Sequence, residues 1–304
     1  MTLLRLALAA ALLAGLTSAY AQTPGTLNPK PLPPLANPGD PRIPAKELFG
    51  RKTEAAPLSA RSIGSYTRGC LAGAKALPVD GETWQVMRLS RNRNWGHPRL
   101  IALLERVSKR VPEVNGWPGL LVGDLAQARG GPMLTGHASH QIGLDADVWL
   151  TPMPDRRLTR GEREGMSATD MVRSDRLDID PATWTPAHTA LLRSVSQEPQ
   201  VARIFINAAI KRALCREAGR DRSWLTKIRP AGGHNYHFHI RIACPPSEEG
   251  CSDQDPPPAG DGCGPELDWW FSDAVLNPKP GGKPRPPITM AQLPPECRQV
   301  LLAQ

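Results

Sequence analysis

Two short segments hold five of the seven histidines, and together they constrain the fold more than anything else in the chain. The first runs Gly136-His137-Ala138-Ser139-His140-Gln141-Ile142-Gly143-Leu144-Asp145-Ala146-Asp147. The second runs Gly232-Gly233-His234-Asn235-Tyr236-His237-Phe238-His239. Leu144 to Leu150 and Asn235 to Ala243 alternate apolar and polar side chains, the pattern of a strand. On a strand, alternate residues share a face, so His237 pairs with His239 and Asp145 with Asp147. If the two strands are neighbours, a carboxylate and one or two imidazoles meet. His140 then enters from the loop just before the aspartates. A lone histidine is usually a hydrogen-bonded core residue; five at these spacings point to a site.

The N-terminus bears on what that site can be. Residues 1–21 carry Arg5, an apolar run from Leu6 to Leu16 and a small-x-small end at Ala19-Tyr20-Ala21. This reads as a cleavable secretory signal peptide. The mature chain then begins near Gln22, and loss of Arg5 takes one positive charge from the formal +8. In an exported chain, six cysteines (Cys70, Cys215, Cys244, Cys251, Cys263 and Cys297) suggest disulfides. None is spaced C-x2-C, so a zinc ribbon is not expected. Sequence spacing does not choose among the pairings, although Cys244 and Cys251 flank a Pro-Pro-Ser turn and suit a local bridge.

A His/Asp/His set with an open position suits zinc, which takes nitrogen and oxygen ligands and, in catalytic sites, keeps three protein ligands plus water. Export does not favour ferrous iron. Around a three-ligand site His137, His234 and His237 remain. One of them can serve as general base and then as acid to a leaving amine, because imidazole titrates near neutral pH. The unused carboxylate, Asp145, suits a supporting contact. His97 is expected at a helix start, and His188 on an exposed helix face.

Residues 22–60 are proline-rich and aperiodic, an extended arm. His97 to Val111 places Leu100, Leu103, Leu104 and Val107 on one helical face, with Pro98 in the first turn. Leu120 to Leu125 and Val201 to Ile206 read as strands, and Pro186 to Ser196 as a helix. Asn207 to Ala218 also reads as a helix, with Asn207 a candidate N-cap. Strands with interspersed helices predict an α+β fold: a small antiparallel sheet carrying the site, flanked by helices, with long Pro/Gly-rich loops tied by disulfides. The expected organisation is a leader at 1–21, the arm at 22–60, a core at 61–250 and a Pro-rich extension at 251–304. After the leader no apolar run approaches the roughly 20 residues of a membrane span. The basic excess is diffuse, and no RNA-binding motif accompanies it. An anionic envelope polymer is therefore the expected partner and nucleic acid is not.

At the two histidine segments the sequence resembles the penicillin-insensitive murein endopeptidases, within the wider lysostaphin, D-Ala-D-Ala metallopeptidase and hedgehog-like zinc peptidase group. GHASHQIGLDADVW and GGHNYHFHIRIACP carry the resemblance, together with SIGSYTRGCLAGA (from Ser62) and WQVMRLSRNRNWGHP (from Trp84). The resemblance implies Zn2+ held by His140, Asp147 and His239, with His237 as catalytic base and His234 and His137 as further active-site histidines. It also implies the disulfides Cys70–Cys297, Cys215–Cys263 and Cys244–Cys251. The implied activity is hydrolysis of the D-alanyl–meso-diaminopimelate cross-link of peptidoglycan in the periplasm. Penicillin would have no serine to acylate there. Arg88, Arg91, Arg93 and Asn94 form a polar run suited to gripping stem-peptide carboxylates. Two other readings stand beside this one: a D,D-carboxypeptidase or amidase on the same polymer, and a non-catalytic zinc-containing binding module. The spare histidines favour catalysis. The sequence leaves the oligomeric state open, a homodimer included.

Overall fold

The computed structural model describes residues 23–279 and 286–304, and it sets the two histidine-bearing segments on adjacent strands. The leader expected at 1–21 lies outside the described residues. In chain order the elements begin with α1 (Ala45–Phe49), β1 (Arg61–Ser65), β2 (Arg68–Ala72), β3 (Lys75–Ala76), β4 (Trp84–Val86), β5 (Trp95–Gly96), α2 (Pro98–Asn115) and β6 (Leu120–Val122). Then come β7 (Asp145–Pro152), α3 (Arg160–Gly165), α4 (Pro186–Ser196), β8 (Val201–Ile206), α5 (Ala208–Glu217), β9 (Ile228–Pro230) and β10 (His237–Ile242). The C-terminal part adds β11 (Cys251–Ser252), α6 (Pro265–Asp268), α7 (Asp273–Leu276) and α8 (Glu296–Leu302).

The fold is α+β. Its main sheet has the order β4-β6-β7-β10-β8-β9. The middle four strands are antiparallel, and the outer pairs β4–β6 and β8–β9 are parallel. The small antiparallel sheet expected from the sequence is thus the centre of a six-stranded mixed one. Alternation gives each central strand two different faces. Ala146, Val148 and Leu150 of β7 and Phe238, Ile240 and Ile242 of β10 join a core cluster. The same cluster holds Leu100, Leu103, Leu104 and Val107 of α2, Leu191, Leu192 and Val195 of α4, and Ile210 and Leu214 of α5. Burying each such side chain contributes about 1.5–3 kcal/mol. The opposite face is left with Asp145, Asp147, His237, His239 and Arg241, and these too are buried.

Helix α2 starts as its sequence predicts. His97 is the N-cap and its ring accepts from the Arg99 amide, with Pro98 in the first turn. The helix runs on past Pro112 to Asn115 and ends at Gly116, whose φ of 78° is left-handed. His188 corrects an expectation. It is 2% exposed, stacked on Trp184 and edge-on to Trp117, with Nε2 3.0 Å from the Leu150 carbonyl. Its position at N3 of α4 lets its ring reach back to the Thr185 cap, so it is a buried capping residue.

Three disulfides are present: Cys70–Cys297, Cys215–Cys263 and Cys244–Cys251. The first joins β2 to α8 across a sequence separation of 227 residues. Around it lies a second core of Ala45, Phe49, Ile63, Leu293, Val300 and Leu301, where arm and tail pack on each other and on the β1–β2 hairpin. Arg129 closes the end of α8 by donating to the Val300, Leu301 and Ala303 carbonyls. Among the described residues no helix is long and apolar enough to cross a membrane.

Candidate metal centre

The β7–β10 register places His239 directly across from Asp147, with Arg241 across from Asp145. Cross-strand partners share a face, and His239 Nδ1 comes within 3.2 Å of Asp147 Oδ1. The loop before β7 supplies His140. Its φ of 67° is left-handed, and its amide donates to Asp145 Oδ2 at 3.0 Å. That turn folds the ring back over the strand, leaving Nε2 3.5 Å from the same Asp147 Oδ1. Two other rings approach Oδ2: His137 Nδ1 at 3.5 Å and His237 Nε2 at 3.7 Å. His234 is half-buried on the loop before β10, its ring 4.8 Å from that of His237. One carboxylate is thereby ringed by four imidazoles, with the fifth tilted against His237.

These residues fit a metal ion. Ligand atoms of His137, His140 and Asp147 all lie within 4.8 Å of one another, and His239 Nδ1 adjoins them. Both ring nitrogens of His140, Asp147 Oδ1 and His237 Nδ1 are buried without a hydrogen-bond partner. Each orphaned buried group costs about 1–3 kcal/mol. A cation at the convergence of His140, His239 and Asp147 would satisfy two of them, His140 Nε2 and Asp147 Oδ1, together. The set of imidazoles plus one carboxylate is one that zinc accepts. His137 was expected only as an active-site histidine; the geometry also puts it within reach of the metal position.

Asp145 supports the centre from below. It accepts from His239 Nε2 at 2.9 Å and from Arg241 Nε at 2.8 Å. Burial alone would raise its carboxyl, but His239 and Arg241 hold it far below the usual carboxylate range. Burial would likewise lower His239, yet Asp145 and Asp147 push it up to about 9. For His237, burial and the neighbouring histidines outweigh Asp147 and drive it down to about 3. Burial also lowers His140, so its ring is neutral and its lone pair available. Asp147 is held low by His237, His140 and His137 against the cost of its burial.

The polar run at 88–94 is drawn mostly into the protein. Arg88 is buried and donates to the Arg163 and Met166 carbonyls, and Asn94 donates to the Leu77 carbonyl. Arg91 and Arg93 each reach Asp124 Oδ2 at 2.9 Å. Arg88 and Arg91 also line a cavity of about 10 Å³ beside Asp147 and His237, room for a single water. Asp124 was not singled out from the sequence. Its only signal is an acid placed just after a short apolar strand.

Residues 62–302 match the sequence profile of the penicillin-insensitive murein endopeptidase family. The chain belongs to that family. It is 48% identical over 244 residues to the penicillin-insensitive murein endopeptidase of Haemophilus influenzae, covering 80% of this chain and 82% of that protein. It is 43% identical over 243 residues to the enzyme of that name from Klebsiella pneumoniae, covering 80% and 86%. The Escherichia coli protein of the same name is 43% identical over 249 residues, covering 82% and 89%. Membership makes this chain one of a peptidase family. All five clustered histidines and both strand aspartates fall inside the matched span.

Proposed function

We propose that the chain is a zinc-dependent endopeptidase that hydrolyses D-alanyl–meso-diaminopimelate cross-links of peptidoglycan. The observation that carries this reading is the unpartnered, buried His140 Nε2 beside the unpartnered Asp147 Oδ1, inside a peptidase-family core. His140, Asp147 and His239 would hold the ion. When bound, zinc would activate a water and polarise the scissile carbonyl. His237 faces Asp147 Oδ2 at 3.7 Å and would act as the base, the carboxylate stabilising its ring once protonated. His234 lies against it and would pass a proton to the leaving amine, while His137 turns its Nδ1 to Asp147 Oδ2 as a further active-site histidine. Asp145 keeps the His239 ring turned to the centre. Of the polar run, Arg91 lines the cavity beside Asp147 and would be the member to meet a stem-peptide carboxylate, whereas buried Arg88 gives its guanidinium to the Arg163 and Met166 carbonyls. Arg93 and Asn94 are spent on internal bonds.

A site built of histidines and an aspartate offers no serine for penicillin to acylate. The substrate places the enzyme in the periplasm, reached through the leader at 1–21, with 61–250 as peptidase core between the arm (22–60) and the disulfide-tied extension (251–304). Two variants test the assignment. His239→Ala should lose zinc, read by metal analysis. His237→Ala should keep zinc and lose about 10²–10⁴-fold in turnover. Stoichiometric zinc in the first, or near-normal turnover in the second, would refute the respective role.

A further inference from the structure

We propose that Asp124 is a positioning residue: it fixes the ring of His137 so that a bare Nδ1 faces the centre, and Arg91 and Arg93 serve to hold Asp124 in place. Both the ring state and its consequence for turnover rest on the metallopeptidase reading above.

The placement of Asp124 is built into the backbone. The Gly123 amide donates to the Asp147 carbonyl at 2.8 Å, and the Asp147 amide donates to the Asp124 carbonyl at 3.0 Å. Asp124 is therefore locked beside the residue at the heart of the site. On its other side Leu125 donates to the Arg93 carbonyl at 2.6 Å and Ala126 to the Trp95 carbonyl at 2.8 Å. This second pairing brings the arginine run alongside. The Asp124 side chain is 3% exposed, and its Oδ2 meets Arg91 Nη1, Arg93 Nη1 and His137 Nε2 at 2.9, 2.9 and 3.0 Å.

Two guanidiniums crowd one buried oxygen, an arrangement that repels itself unless the carboxylate is ionised. An ionised carboxylate only accepts, so His137 Nε2 must carry the proton that it donates. In the neutral ring the lone pair then lies on Nδ1, the atom 3.5 Å from Asp147 Oδ2. Without a cation that nitrogen would take a proton and meet Asp147 as an imidazolium, so the bare Nδ1 belongs to the metal-loaded centre. The Asp145–His239 pair is built the same way on the opposite side, with Nε2 bound and Nδ1 turned inward. The two aspartates hold the two rings around Asp147 in matching states. Bonds of this outer kind typically change affinity or activity about 10–100-fold when broken.

The test is two-bond proton–nitrogen NMR on zinc-loaded mature protein labelled at histidine nitrogens, with His137→Gln identifying the resonance. The expected spectrum shows His137 protonated at Nε2 and unprotonated at Nδ1. A proton on His137 Nδ1 in the wild type overturns the proposal. In Asp124→Asn the His137 pattern should shift toward the other tautomer while the His188 pattern stays. Turnover should fall about 10–100-fold with little change in KM. An unchanged His137 pattern in a folded Asp124→Asn variant also overturns it. Should that variant not fold, Arg93→Gln, which removes one of the two supports, is read in the same way. Failure of the metallopeptidase reading would appear separately, as absence of zinc uptake.

Discussion

Asp145 Oδ1 accepts from His239 Nε2 at 2.9 Å, and this bond decides that Nδ1 is the nitrogen His239 turns to Asp147. Asp145→Asn should therefore weaken zinc binding about 10–100-fold, measured by competition with a coloured chelator. Unchanged affinity would mean that the ring is held in place by packing alone.

The same pair sets a pH window for the metal-free protein. Asp145 lies below its ordinary value of 3.8 in the folded state, so its contribution is present above that value and lost as pH falls below it. His239 is raised from 6.5 to about 9, so its contribution is complete below 6.5 and lost as pH rises through about 9. Urea stability of the metal-free protein should thus fall on both sides of that range. In His239→Gln the alkaline decline should shrink, while the acid decline, supported also by Arg241, should persist. A wild-type profile flat between pH 6.5 and 9 would contradict the pairing.

Histidines buried far from the site should behave differently. His188 caps α4, stacks on Trp184 and bonds the Leu150 carbonyl. His188→Ala should lower stability by about 2–4 kcal/mol, through a lost cap, an orphaned carbonyl and lost ring packing. Zinc content should be unaffected. Thermal melting and metal analysis on one sample check both.

Much of this architecture was legible in the chain. The face at Leu100, Leu103, Leu104 and Val107 and the N-cap at Asn207 became α2 and α5, because amphipathic period and capping act locally. Strands β7, β8 and β10 were visible from alternation or apolar content, and alternation put His237 with His239 and Asp145 with Asp147 on common faces. The β1–β2 hairpin was not visible: its five-residue strands carry Gly64 and Gly69, which interrupt any clear strand pattern. Strands β4 and β9 have three residues each and take their structure from parallel pairing to β6 and β8. His188 looked exposed because nothing local reveals that Trp117 and Trp184 close over it. Asp124 escaped notice for a related reason. Its role comes from residues at 91, 93 and 137, which only the tertiary pairing brings to it.

The Cys70–Cys297 bond pins the tail to β2 inside the second core. Replacing both cysteines by serine should cost about 2–5 kcal/mol of stability. It should also open the packing of α8 on β2 to proteolysis. Tm and limited digestion would show it; an unchanged Tm would mean that burial of Phe49, Val300 and Leu301 alone secures the tail.

The most direct measurement is mass spectrometry of purified cross-linked muropeptide dimers after incubation with the protein, with protein plus chelator, and with protein plus penicillin. A zinc centre around Asp147 predicts dimers converted to monomers, with cleavage abolished by chelator, restored by zinc and untouched by penicillin. Loss of a terminal D-alanine alone would mark a carboxypeptidase. Cleavage that survives removal of the metal, or intact dimers with zinc bound, would contradict a metal-dependent endopeptidase.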